Sequence, residues 1–292
     1  MNSINLSNHP ALFFLVAMVL LNGCAGSGLD NSSKRFTNPI EMHSSDWDDL
    51  LEMDRAWQAA LVRIPAKSAN KYIKTTIGEL AFSNVAIERT YPAVIYMHGC
   101  SGIWDGTRIR LDFLAKNGYA VIAPASFARK KYPKSCAPSA YQGGLYRPTL
   151  KMRQHDAGYA IAKAKRLDWV DADNVFLMGL SQGGITTATF SSKDNDLSVN
   201  ARIVEGWTCH AGWPEYQGVN APDNEPVLTL VGKNDPWFQD IWTKGNCAKF
   251  LNPSNGSQSI VFSDGYLSFR HELLESKQVK KIVLEFLKQH TN

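Results

Sequence analysis

Val175-Phe176-Leu177-Met178-Gly179-Leu180-Ser181-Gln182-Gly183-Gly184 is the stretch on which the reading of this 292-residue chain turns. The first four residues are an apolar run of the kind that fills a buried strand, and small residues suited to a helix follow Gly183-Gly184. Gly179-Leu180-Ser181-Gln182-Gly183 is a G-x-S-x-G motif. From average composition alone it arises in roughly one chain of this length in ten, so its context carries the weight. Here the motif sits where a strand turns straight into a helix. A serine in that turn needs neighbours without side chains, Gly179 and Gly183, and its hydroxyl is lifted clear of the sheet. It also lies at a helix N-terminus, where free amides favour a developing oxyanion.

A serine hydroxyl is a weak nucleophile without a base, and the base needs an orienting acid. In strand–turn–helix sites of this kind the chain order is Ser, then Asp or Glu, then His. Three of the seven histidines follow Ser181, namely His210, His271 and His290. His290 is in the C-terminal tail and His210 precedes the best acid candidate. His271 falls just before the last predicted helix and is the expected base. The expected acid is Asp235, in the turn Gly232-Lys233-Asn234-Asp235-Pro236 beyond a predicted strand, with Asp240 and Glu205 as alternatives. Two backbone N–H donors are needed for the oxyanion. One is Gln182, directly after the serine. The other is assigned to Cys100 in His98-Gly99-Cys100-Ser101-Gly102, an H-G-x-x-G loop of the type that supplies this donor in esterases. His98, Gly99 and Gly102 then shape the loop.

Outward from these motifs, short apolar runs alternate with helical periodicity. Strands are predicted over 93–97, 119–123, 175–178, 203–207, 227–231 and 259–262. Helices are predicted over 44–63, within 107–117, and over 149–166, 182–190, 239–250 and 273–288. This alternation means βαβ units: a mostly parallel twisted sheet with helices on both faces. No insertion reads as a separate cap domain, and no linker divides 90–292, so residues 41–292 are read as one domain.

Composition is that of an ordinary globular chain, with 44% apolar and 20% charged residues and a net charge of +4. No basic block is present, which leaves no case for nucleic acid binding. No H-E-x-x-H or tight His/Asp cluster suggests a metal, and the chemistry above needs no cofactor. The N-terminus is distinctive. The apolar run 11–21 is too short to span a bilayer but fits the core of an export signal. Leu21-Asn22-Gly23-Cys24 resembles a bacterial lipobox, which makes residues 1–23 a lipoprotein signal peptide and Cys24 the lipidated residue. Residues 1–10 lack the usual Lys or Arg. A cleaved signal with an incidental cysteine and an uncleaved anchor are the alternatives. The Gly/Ser/Asn-rich stretch that follows reads as a flexible tether, 24–40, to a membrane surface. Ala25, in place of an aspartate, points to the outer rather than the inner membrane of the bacterial envelope. Removing Cys24 leaves Cys100, Cys136, Cys209 and Cys247, an even set expected to pair in an oxidising compartment, with three possible connectivities.

Taken together, the chain resembles the α/β-hydrolases, and within them the dienelactone hydrolase family, over about residues 90–290. The resemblance rests on Met97-His98-Gly99-Cys100-Ser101-Gly102, Asn117-Gly118-Tyr119-Ala120-Val121 with Ala123-Pro124, Gly179-Leu180-Ser181-Gln182-Gly183-Gly184, and Gly232-Lys233-Asn234-Asp235. Two departures stand out. The founding members use a cysteine nucleophile where this chain has Ser181, and they lack the His-Gly loop, so chloroaromatic degradation is not implied. The resemblance also favours Cys100–Cys136, leaving Cys209–Cys247. It implies an α/β-hydrolase fold and a serine esterase acting through an acyl-enzyme on a small-molecule ester. The same triad would serve a peptidase or amidase. A non-catalytic binding lipoprotein is the reading from another class, and a broken triad would be its mark. The loop 127–148 carries Arg129, Lys130, Lys131, Lys134 and Arg147 and reads either as a lid for anionic substrates or as a solvated loop. Trp207, Trp213 and Trp237 are candidates to line an acyl pocket.

Overall fold

A computed structural model describes residues 36–292 except 69, 88 and 192–194. The expected signal peptide, Cys24 and most of the tether lie outside the described residues. The elements are α1 (Leu50–Gln58), β1 (Leu61–Pro65), β2 (Tyr72–Thr76), α2 (Ile77–Ala81), β3 (Tyr91–Met97), α3 (Asp105–Lys116), β4 (Ala120–Ala123), a small ribbon β5 (Cys136–Ala137) and β6 (Gln142–Gly143), α4 (Thr149–Ala164), β7 (Val170–Leu180), α5 (Gln182–Thr189), β8 (Ala201–Glu205), β9 (Val227–Gly232), β10 (Gln258–Phe262) and α6 (Lys277–Gln289).

One sheet runs β10-β9-β8-β7-β3-β4-β1-β2. The pairs from β4 through β3 to β10 are parallel, and β1 joins β4 and β2 antiparallel. Alternation along β3 builds a core on each face, because successive side chains of a strand point to opposite sides. Ala93, Ile95 and Met97 meet Ala157, Ala160 and Ile161 of α4 on one side. Val94 and Tyr96 meet Leu111 and Leu114 of α3 and Phe286 and Leu287 of α6 on the other. This is the α/β-hydrolase architecture expected from the sequence, with the strand–helix turns lined up along the C-terminal edge of the parallel strands.

Three predicted elements are corrected. The helix expected over 44–63 is confined to 50–58, capped by Asp49, whose carboxylate accepts from the Leu51 and Glu52 amides. The chain then enters β1, where Val62 and Ile64 are fully buried. Those β-branched residues satisfy helical and strand spacing alike over so short a run, and pairing with β4 decides in favour of the strand. The helix expected over 239–250 does not form. The segment follows a turn at Pro236–Phe238 and ends in another at Ala248–Phe250. Asp235 and Asp240 accept hydrogen bonds from the Trp237 and Trp242 amides, and Gly245 takes φ 148°, so the segment's polar groups favour turns over a helix. The strand expected over 203–207 lies at 201–205, which moves Trp207 from strand to loop.

Both disulfides form as the resemblance implies, Cys100–Cys136 and Cys209–Cys247, with sequence separations of 36 and 38. Each ties a loop at the C-terminal edge of the parallel strands to another segment. Chain-entropy estimates give each about 4 kcal/mol of stabilisation. Because Cys100 sits in the H-G-x-x-G loop rather than in the sheet, reduction is expected to lower activity before the fold is lost. Activity and circular dichroism followed along a reductant titration test this: activity that persists until global unfolding would make the bridges plain staples.

Candidate active site

Ser181 occupies the turn between β7 and α5 with φ 57° and ψ −121°, a strained conformation for a residue bearing a Cβ. Its amide donates to the Glu205 carbonyl, which pins the turn to the end of β8. The flanking glycines are required by close approach. A Cβ on Gly183 would stand 1.9 Å from the Met97 carbonyl oxygen, and one on Gly179 would stand 2.2 Å from the Gly183 carbonyl oxygen. The turn thus packs directly on the end of β3, where the H-G-x-x-G loop starts. That loop closes through a Gly102 N–H to Gly99 carbonyl bond, with Gly102 at φ 84°. A Cβ on Gly99 would lie 3.8 Å from the Ser181 Cβ, so the loop passes over the nucleophile candidate. Cys100, Ser181 and Gln182 line one cavity. Among the described residues, the backbone amides of Cys100 and Gln182 donate to no other group, as oxyanion donors must.

His98 is fully buried. Its Nδ1 donates to the Gly99 carbonyl at 2.7 Å, and burial, reinforced by the nearby Arg153 charge, holds its imidazole well below the ordinary histidine range. It is a neutral brace for the loop rather than a titrating base. Arg153 of α4, also fully buried, donates to the carbonyls of His98 and Gly99 at 2.6 and 3.4 Å and to the Gln182 side-chain oxygen at 3.2 Å. Ser135 and Tyr132 donate to that same oxygen at 3.3 and 3.5 Å. One guanidinium therefore fixes both backbone segments that carry the candidate oxyanion donors.

Asp235 and His271 meet on the same edge. Nδ1 of His271 stands 2.7 Å from Oδ2 of Asp235, whose Oδ1 accepts from the Trp237 amide. Asp235 is fully buried and the His271 side chain is 14% exposed. The base loop is laid on the acid turn: Asn234 N–H donates to the Ser268 carbonyl, and a Cβ on Gly232 would be 2.7 Å from the Leu267 and Ser268 carbonyl oxygens. Trp237 stacks on the His271 ring at 5.2 Å. The ring also lies against Gly206, the residue after the one that receives the Ser181 N–H. No hydrogen bond joins Ser181 to His271 in this structure, and Nε2 of His271 is enclosed without a partner. Such contacts commonly tighten only when substrate is bound.

Of the alternative acids, Glu205 is excluded by its partners. Its carboxylate is buried against Arg110 at 3.0 Å and accepts from the Leu273 and Leu274 amides at 2.6 and 2.7 Å. It thereby clamps the loop just beyond His271, with Arg110 also paired to Glu272 at 3.0 Å. Asp240 is exposed and accepts from the Trp242 amide, away from the imidazole that Asp235 holds. His210 is held by the Asn246 carbonyl through Nε2, and His290 packs on Phe286.

The cavity above Ser181 measures about 470 Å³ and takes in Trp207, Trp213 and Trp237, as expected, together with Trp242, which the sequence did not single out. Three of the five cations of the basic loop are paired. Arg129 is buried against Asp156, Lys131 pairs with Asp46 and Arg147 pairs with Glu215. None of its five cations lines the cavity.

The model of the dienelactone hydrolase family matches residues 80–283. No curated protein matches. Among solved structures, a dienelactone hydrolase-like promiscuous phosphotriesterase from metagenomic libraries is 15% identical, covering 70% of this chain and 89% of its own, with a TM-score of 0.50. A putative dienelactone hydrolase from Klebsiella pneumoniae is 17% identical with the same coverages and a TM-score of 0.49. An esterase from Thermogutta terrifontis is 15% identical, covering 78% and 88%, with a TM-score of 0.46.

Proposed function

The chain belongs to the dienelactone hydrolase family, a family of hydrolases, and from that premise we propose that it is a serine esterase acting through an acyl-enzyme. The observation that carries this reading is the 2.7 Å Asp235–His271 pair beside a serine held at φ 57° in a strand–helix turn. In the first half-reaction, Ser181 Oγ attacks the ester carbonyl and its proton passes to His271 Nε2. Asp235 holds the tautomer that leaves Nε2 free to accept and stabilises the imidazolium. The charge that develops on the carbonyl oxygen is received by the Gln182 and Cys100 amides. Collapse expels the alcohol, which takes its proton back from His271. Water then repeats the sequence on the acyl-enzyme and releases the carboxylic acid.

Ester and amide hydrolysis share this machinery, so the test is a turnover profile over short-chain esters, long-chain esters and peptides. Esters cleaved at least about a hundredfold better than peptides support the reading, and the reverse order makes the protein a peptidase.

The same proposal places the protein on the bacterial envelope, on the outer membrane, through a lipid on Cys24, with residues 24–40 as tether and 41–292 as one catalytic domain. The lipobox-like Leu21-Asn22-Gly23-Cys24 supports it. The wild type is expected to partition into detergent and Cys24→Ser to remain unprocessed at that position. An unmodified mature N-terminus found by mass spectrometry overturns the anchor.

A further inference from the structure

Four of the chain's eight tryptophans, Trp207, Trp213, Trp237 and Trp242, line the cavity that opens onto Ser181. A cavity of about 470 Å³ is within the ordinary range for a small-molecule site. Packing alone does not call for this concentration of indoles, because Trp242 is 68% exposed and Trp213 is only partly covered.

Two of the four walls are held from behind. Trp213 lies on the Gly144 backbone, where a Cβ would stand 2.4 Å from its ring, with the Arg147 guanidinium 5.3 Å from its centroid and Tyr216 edge-on at 5.5 Å. Trp237 is stacked on His271, with Tyr141 edge-on at 5.9 Å. Flat surfaces immobilised before binding suit a flat guest, which gains stacking contacts without paying for the ordering of the walls.

The charge around the cavity is equally one-sided. Among the described residues, Asp240 is the one ionisable carboxylate that lines it, and no lysine or arginine does. Of the five cations of the neighbouring 127–148 loop, Arg129 pairs with Asp156, Lys131 with Asp46 and Arg147 with Glu215, and none of the five lines the cavity. Indole faces carry the negative end of their quadrupole and attract cations, not anions. A negatively charged substrate would lose its hydration and meet a carboxylate and aromatic faces in return.

From these two observations we infer that the substrate is an ester whose acyl group carries an aromatic ring and no negative charge. This rests on the serine esterase reading and adds the substrate class to it. Stacking against preformed indoles favours a phenyl acyl group over its saturated counterpart, and the cavity's charge disfavours a carboxylate on the same frame.

The test is pH-stat hydrolysis of three methyl esters with one alcohol and matched length: 3-phenylpropanoate, 3-cyclohexylpropanoate and 3-(4-carboxyphenyl)propanoate. The phenyl ester is expected to exceed the cyclohexyl ester in kcat/KM by about fivefold, the scale of an aromatic contact beyond its buried area. It is expected to exceed the carboxylate ester by at least about tenfold, one buried charge left without a partner. Trp213→Leu should bring the phenyl-to-cyclohexyl ratio to within about twofold, and Trp242→Ala, at an exposed position that folding tolerates, should lower it as well. Asp240→Asn should narrow the gap between the neutral and the carboxylate ester. A cyclohexyl ester cleaved as well as the phenyl ester, or an anionic ester cleaved as well as the neutral one, overturns the inference while leaving the esterase reading intact. If none of the three is cleaved, and short-chain esters are not cleaved either, the esterase reading falls and takes this inference with it.

Discussion

Ser181→Ala is expected to lower turnover by about 10⁴-fold or more, the usual cost of losing the nucleophile of a triad. A methyl group cannot attack a carbonyl, and the nearby sulfur of Cys100 is committed to its bridge with Cys136. The loss should be chemical rather than structural. Alanine keeps the Cβ, so the strain at φ 57° is unchanged. The Ser181 hydroxyl makes no capping hydrogen bond to α5, so its removal forfeits none. Thermal stability is therefore expected to stay within about 0.5 kcal/mol of wild type. A variant that melts normally and still turns over substrate at more than a hundredth of the wild-type rate would remove Ser181 from the mechanism.

Asp235→Asn should be nearly as costly, about 10⁴-fold near neutral pH, and for a different reason. The aspartate oxygens have two fixed donors, the Trp237 amide and His271 Nδ1. An asparagine has one oxygen for the two. If its oxygen keeps the Trp237 amide, its NH₂ faces Nδ1 and forces the proton to Nε2, where the base can no longer accept from serine. If its oxygen keeps Nδ1, its NH₂ is driven against the Trp237 N–H at a fully buried position. Either arrangement breaks the site without changing its shape. Steady-state rates for the variant, with circular dichroism to confirm the fold, check this. A fall of less than tenfold would mean that Asp235 does not orient the base.

The parts of this site that sequence makes legible are those with a local pattern. Ser181 is marked by flanking glycines that close packing demands, and Asp235 and His271 by their place after the last strands in a fixed chain order. Cys100 and Gln182 follow from their positions beside those marks. The supporting residues carry no such pattern. Arg153 reaches His98, 55 positions away, and Arg110 reaches Glu205, 95 positions away, so each pair exists only once the sheet has brought α3, α4 and the strand ends together. Nothing in the local sequence separates Arg153 from an exposed helix arginine. Glu205 illustrates the converse: a carboxylate at a strand end looks like a triad acid until its arginine and the two amides beyond His271 are seen. β1 was hidden because its short Val62–Ile64 run fits either period, and the 239–250 segment reads as a helix because its apolar spacing is helical. Only the aspartate-capped turns and the bridge at Cys247 override that spacing.

The central claim, that Ser181 is the nucleophile of an acyl-enzyme, is tested most directly by treating the purified protein with a fluorophosphonate and mapping the modified peptide by mass spectrometry. The expected result is one adduct, on Ser181, absent from Ser181→Ala and much slower to form in Asp235→Asn. A protein that takes no label, or takes it with equal efficiency after Ser181→Ala, would contradict the account.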